Sequence, residues 1–128
     1  MEREIIRTSR APKAIGAYSQ AVRVGQWVWC SGQIGLTPDT MQLVEGLEGQ
    51  TRQVLDNLNA VLVEAGSSIE HLLRVRIYLT EMVHFDTVNR IYEEWVGTIP
   101  PARETVAVRE LPMSALVEIS CEALADVD

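Results

Sequence analysis

Two charged side chains near the end of the chain have the right types for joint chemistry: Arg103 in TIPPARETVAV and Glu118 in ALVEIS. An arginine can grip a carboxylate through paired charge-assisted hydrogen bonds, each contributing roughly 1.5–3 kcal/mol when shielded from water. A carboxylate nearby can orient or activate a water, an effect of about 10²–10⁴ in rate. Pro100 and Pro101 give the strand-like run RETVAV a rigid entry, because proline lacks an N–H and drives the residue before it out of helical geometry. If Val106 and Val108 face the helices of the fold, Arg103, Thr105 and Ala107 share the opposite face. Arg103 and Glu118 can then sit on the same face of neighbouring strands. Two blander readings stay open: a solvated loop arginine, or a simple salt bridge between the two residues.

Other polar residues are weaker candidates one at a time. Tyr18 follows Gly16 in AIGAYSQA and reads equally as a half-buried loop aromatic. Ser31 ends a strand in CSGQ, where Gly32 permits close backbone approach and a strand-end hydrogen bond is the plain alternative. Asn89 falls in a helical segment, where a surface amide is its ordinary role. His71 and His84 have no nearby Cys or His to complete a metal site, so no metal is expected. Cys30 and Cys121 lie in apolar strand-like segments without CxxC spacing, which favours buried thiols over a disulfide. Nucleotide chemistry finds no Walker loop, GxGxxG or nucleophile elbow to support it.

These residues must be positioned by elements that the hydrophobic pattern delineates. REIIR, SQAVRV and QWVWCSG read as three strands, the last two joined by a tight turn at Gly25–Gln26. LTPDTMQLVEG is a loop. From Glu48 to Glu64 the period lengthens: Val54, Leu55, Leu58, Val61, Leu62 and Ala65 form one helical stripe, stopped by Gly66. LLRVRIYL alternates strictly and reads as a strand. Phe85, Val88, Tyr92, Trp95 and Val96 mark a second helix, closed by Gly97 and the prolines. RETVAV and ALVEISCEALA complete an order β-β-β-α-β-α-β-β. Two helices cover one sheet face, which leaves the other, mixed polar and apolar, to solvent or to another subunit, with closure favoured.

The bulk composition excludes several classes of function. A chain of 128 residues is expected to form one domain, residues 1–128, with a single core. Its net charge of −7 opposes non-specific attraction to nucleic acid or anionic lipid, without forbidding a locally cationic pocket. No apolar run approaches a membrane span, and MEREIIRTSR lacks the apolar stretch of a signal peptide, so a cytoplasmic location is expected.

Taken in order, APKAIGAYSQAV, SGQIG, QTRQVLDNL, FDTVNRIYEEW, PPARETVAV, Leu111–Pro112 and VEI resemble the RidA (YjgF/YER057c/UK114) family from Ala11 to about Ala125. That resemblance implies a chorismate mutase-like α/β (α+β) fold: one mixed sheet with two helices on one face, in a homotrimer with its sheets facing inward and interfacial clefts. It implies hydrolysis of reactive enamines and imines, such as 2-aminoacrylate, 2-iminobutanoate and 2-iminopropanoate, to 2-keto acids and ammonia without a cofactor. By position, Arg103 matches the carboxylate clamp and Glu118 the residue that handles the attacking water. Tyr18, Ser31, Gly32 and Asn89 match the cleft lining, and Thr105 a backbone carbonyl contact. Two departures stand out: Ala17 replaces a proline, and Thr105 replaces a cysteine. A non-catalytic carboxylate-binding module and an endoribonuclease or translation inhibitor are the alternative functions. The acidic charge and the lack of a His pair or basic stripe argue against the nuclease.

Overall fold

A computed structural model describes residues 2–127 and contains six strands and two helices. The strands are Glu4–Ile6 (β1), Ala21–Val24 (β2), Trp27–Gln33 (β3), Leu72–Leu79 (β4), Ala102–Ala107 (β5) and Val117–Leu124 (β6). The helices are Leu47–Glu64 (α1) and Phe85–Val96 (α2). All six strands form one sheet in the order β1-β2-β3-β6-β4-β5. Only the β4–β5 pair is parallel, because α2 is the crossover that joins them. The β-β-β-α-β-α-β-β order is the one expected from the hydrophobic pattern, and the mixed sheet is the one implied by the family resemblance.

Local chemistry accounts for the connections. Gly25 adopts a left-handed φ of 59° at the first position of the two-residue turn between β2 and β3, where Val24 pairs with Trp27. Gly66, at φ 82°, ends α1 in the conformation that a Cβ disfavours. The α1 stripe of Val54, Leu55, Leu58, Val61 and Leu62 is buried against the sheet, each such side chain contributing about 1.5–3 kcal/mol. Val75, Ile77 and Leu79 of β4 and Val117, Ile119, Cys121 and Ala123 of β6 supply the facing layer. Two polar residues of α1 are buried as well. Asn57 donates to the carbonyl of Leu36 at 2.9 Å, and Gln50 accepts the Leu116 N–H at 2.8 Å, so α1 pins the loops around it.

The sheet face without helices carries Arg74, Arg76, Tyr78, Glu118, Ser120 and Glu122, as the alternation of β4 and β6 required. It also carries large apolar groups. Trp27 and Trp29 are 52% and 44% exposed, and their rings stack at 6.4 Å. Val106 is exposed on the same face, opposite Tyr78. The expectation that Val106 faces the helices is therefore corrected. β5 pairs with β4 so that Arg103 aligns with Val75 and Thr105 with Ile77, which places Arg103 and Thr105 on the helix side. Among the described residues, no helix is long and apolar enough to cross a membrane.

Candidate active site

Glu118 sits on the helix-free face, paired across β4 with Tyr78. The neighbouring strand bulges towards it. Between Cys30↔Cys121 and Gln33↔Ile119, β3 advances one residue more than β6, so Ser31 and Gly32 together oppose Ser120. The bulge brings the Gly32 backbone against the carboxylate: a Cβ there would lie 2.5 Å from Glu118 Oε2. Glycine is what leaves the carboxylate its place. Ser31 donates from Oγ to the Ser19 carbonyl at 2.6 Å and from its N–H to the Gln20 carbonyl at 2.9 Å. Buried Gln20 then fastens the chain upstream, donating to the Pro12 carbonyl at 2.8 Å and accepting the Thr8 N–H at 2.7 Å.

These anchors stand Tyr18, half-exposed, beside a cavity of about 480 Å³ with Glu118 in its wall. Tyr18 Oη accepts the Ile15 N–H at 3.2 Å. Ile15, Ile34, Leu36 and Met113 make much of the remaining wall apolar, with Lys13 and Gln33 as its further polar members. Met113 and Ser114 both hold left-handed φ values, 57° and 60°, a strained pair at the edge of the cavity. Burial in these surroundings raises the Glu118 pKa above the ordinary carboxylate value. A carboxyl so shifted is better matched to proton transfer near neutral pH.

Arg103 occupies a different setting. Its Nη1 donates to Asn89 Oδ1 at 2.5 Å, and Asn89 Nδ2 donates to Glu93 Oε1 at 3.0 Å. The Glu93 carboxylate thus orients the amide so that its oxygen meets the arginine. The guanidinium carbon lies 5.4 Å from the Phe85 ring centroid and 5.2 Å from that of Tyr92, both within cation–π range. Arg23, Arg52, Arg74, Arg76 and Arg90 each have an acidic partner; among the described residues Arg103 forms no ion pair, like Arg3, Arg7, Arg10 and Arg109, and differs from those four in its amide and aromatic contacts. It borders a second cavity, of about 370 Å³, with Asn89, Tyr92, Pro100 and Pro101; Glu93 also lines it but is engaged by the Asn89 amide and makes no ion pair with Arg103. The side-chain hydroxyl of Thr105 is buried without a hydrogen-bond partner.

The candidate residues therefore fall into two groups. Tyr18, Ser31, Gly32 and Glu118 converge on the larger cavity; Arg103 and Asn89 converge on the smaller one, with Thr105 on the same face of β5 as Arg103. Arg103 and Glu118 do not share a face, and they are not on neighbouring strands, because β4 lies between β5 and β6. The direct salt bridge is excluded with it. Asn89 is no idle surface amide. Sequence reasoning did not single out Glu93, although its position one helical turn after Asn89 signals a pair that can touch. Cys30 and Cys121 are buried free thiols directly opposite each other on β3 and β6. Among the described residues, no cluster of three His, Cys, Asp or Glu could hold a metal ion.

The chain matches known proteins over nearly its whole length. The family model described as Endoribonuclease L-PSP matches residues 8–125. A crystal structure from the conserved Rid protein family of Yersinia pestis superposes with a TM-score of 0.94 at 45% identity, covering 97% of this chain and 100% of that one. Reactive Intermediate Deaminase A of Arabidopsis thaliana, a chloroplastic protein, is 39% identical over 124 residues, 96% of this chain and 66% of that one. TdcF of E. coli, solved with bound serine, superposes with a TM-score of 0.90 at 35% identity, covering 96% of this chain and 99% of that one. The chain belongs to the RidA/YjgF family, the family of that Endoribonuclease L-PSP model.

Proposed function

We propose that this protein hydrolyses 2-imino acids and their enamine tautomers, among them 2-aminoacrylate, 2-iminobutanoate and 2-iminopropanoate, to 2-keto acids and ammonia. The reading rests on one observation above all: Arg103 is held by neutral groups and forms no ion pair, while a partly buried carboxylate lies on the opposite face of the same sheet. Within one chain the two groups border different cavities. A second copy of the chain would bring them together, so the working unit is an oligomer, a homotrimer by the family pattern, with Arg103 of one copy facing Glu118 of the next. The exposed Trp27, Trp29 and Val106 give the helix-free face an apolar surface suited to such closure. The deaminase name of the Arabidopsis relative and the serine bound by TdcF, a small amino acid with a carboxylate, favour the same substrate class.

In this mechanism Arg103 grips the substrate carboxylate and so places C2 beside a water on Glu118. The enamine first tautomerises to the imine. Glu118 takes a proton from the water as its oxygen bonds to C2, and hands that proton to the nitrogen as the C=N electron pair moves there. The resulting carbinolamine collapses: Glu118 takes the hydroxyl proton as the C–O bond becomes a carbonyl and returns it to the nitrogen as the C–N bond breaks, so that ammonia leaves. Tyr18, Ser31, Gly32, Asn89 and the Thr105 carbonyl line the cleft. No cofactor enters, and proximity supplies the principal gain. The nuclease wording of the family model finds no histidine among the described residues lining either cavity, and the net charge of −7 opposes attraction to RNA.

The test is release of ammonia and 2-ketobutanoate from freshly generated 2-iminobutanoate by wild type, Arg103→Ala and Glu118→Gln. Wild type is expected to accelerate release, with Arg103→Ala losing about 10²-fold or more through the missing paired hydrogen bonds. No acceleration by wild type, with carboxylate binding retained, would replace the enzyme by a ligand-binding module.

A further inference from the structure

Arg103 presents a problem that the clamp reading leaves open. A cation kept for an incoming carboxylate must be held still, yet any acidic residue that held it would also neutralise it. In this acidic chain five other arginines take the acidic solution. Arg103 instead lies near two aromatic rings. Phe85 opens α2 and Tyr92 follows almost two turns later, so both project from the same side of the helix toward β5. Their ring centroids lie at 5.4 and 5.2 Å from the guanidinium carbon. Tyr92 is 3% exposed, so its ring is fixed by the core, and its phenol pKa is pushed up by burial. A ring face attracts a guanidinium without accepting a proton and without competing for its in-plane N–H donors.

We propose that Phe85 and Tyr92 are positioning residues that bracket Arg103, preorganising its guanidinium while leaving its charge and donor edge free for the substrate carboxylate. This rests on the clamp reading of Arg103 and deepens it. An arginine with no acid partner and no bracket would sample many rotamers and lose that freedom on each binding event, a penalty of about three- to tenfold in affinity. Asn89 holds one end of the fork, and the two rings lie within cation–π range of its centre.

The experiment compares wild type, Phe85→Leu, Phe85→Tyr and Arg103→Ala, with 2-ketobutanoate as the binding probe and 2-iminobutanoate as substrate. Phe85 is only partly buried and leucine keeps it apolar, so the fold is retained; thermal unfolding verifies this. Phe85→Leu should weaken 2-ketobutanoate binding and raise KM by about three- to tenfold with kcat nearly unchanged. Phe85→Tyr, which restores the ring face, should return both to wild-type values. The Arg103 Nε–H proton resonance should carry a ring-current shift in wild type that diminishes in Phe85→Leu and persists in Phe85→Tyr. Wild-type affinity in Phe85→Leu would overturn the bracket, as would equal damage from leucine and tyrosine, which would mark mere packing. Unchanged binding in Arg103→Ala would overturn the clamp itself, and the ring-current shift would then report the arginine's placement separately from any role in binding.

Discussion

The two halves of the candidate site solve opposite electrostatic problems. Around Glu118 the chain builds a concave, mostly apolar wall from a β-bulge, an anchored loop and a strained turn, and the carboxylate inside it becomes a weaker acid. Around Arg103 there is little enclosure. An edge strand offers the cation, and a helix holds it with an amide and two rings. The first half tunes a proton; the second preserves a charge. They occupy opposite faces of one sheet, so in this reading neither is a site until a second chain joins them.

The strongest test of that division mixes two defective proteins. Arg103→Ala and Glu118→Gln should each be nearly inactive. Unfolded together in equal amounts and reassembled, they should regain about a quarter of wild-type turnover, because random assembly pairs an intact arginine with an intact glutamate at one interface in four. No recovery would mean that both groups act within one chain or not at all.

Gly32→Ala probes the carboxylate half alone. The added methyl would displace the end of a flexible side chain and leave the backbone in place, so the fold should persist. Activity should fall by about 10–100-fold, since misplacing a catalytic group by an ångström can cost that much. Steady-state turnover beside a thermal melt separates the two effects.

A smaller effect concerns stability. Burial raises the folded-state pKa of Glu118, so the folded protein binds that proton more tightly than the unfolded chain. Stability from this source is present at low pH and is lost as pH rises from the unfolded carboxylate value to the raised folded value. Glu118→Gln removes the loss. It should melt higher than wild type near neutral pH, with the gap closing below about pH 4. Calorimetry at the two pH values decides it. The smallest change is expected on the arginine side. Thr105→Val deletes a buried hydroxyl that has no partner and should leave stability unchanged or raise it by up to about 1 kcal/mol, measured by denaturant unfolding.

The two halves also differed in how legible they were. Glu118 could be placed from its own strand. β6 is central, buried on one face only, and its Val117, Ile119, Cys121 and Ala123 alternate with polar residues, so the open face was readable. Ser31 and Gly32 were legible as candidates, but not the bulge that presents both to Glu118, because an extra residue appears only against a partner strand. Arg103 was legible as a cation after a rigid turn, and its face was assigned wrongly. β5 is an edge strand, and Ala102, Arg103, Glu104, Val106 and Ala107 are all exposed in the chain. Its alternation carries no burial difference from which parity could be read.

By itself, the sequence determined the element order, the helical and strand periods, the residues that carry charge and the family motifs, because each is set by local spacing. The side of the sheet on which Arg103 lies was decided by one register, Val75 against Arg103 in the parallel pairing of β5 with β4. That register depends on where the α2 crossover sets β5 down beside β4, and shifting a strand by one residue sends every side chain to the other face. Tertiary structure alone therefore turned an expected pair of neighbours into two groups facing away from each other across a single sheet.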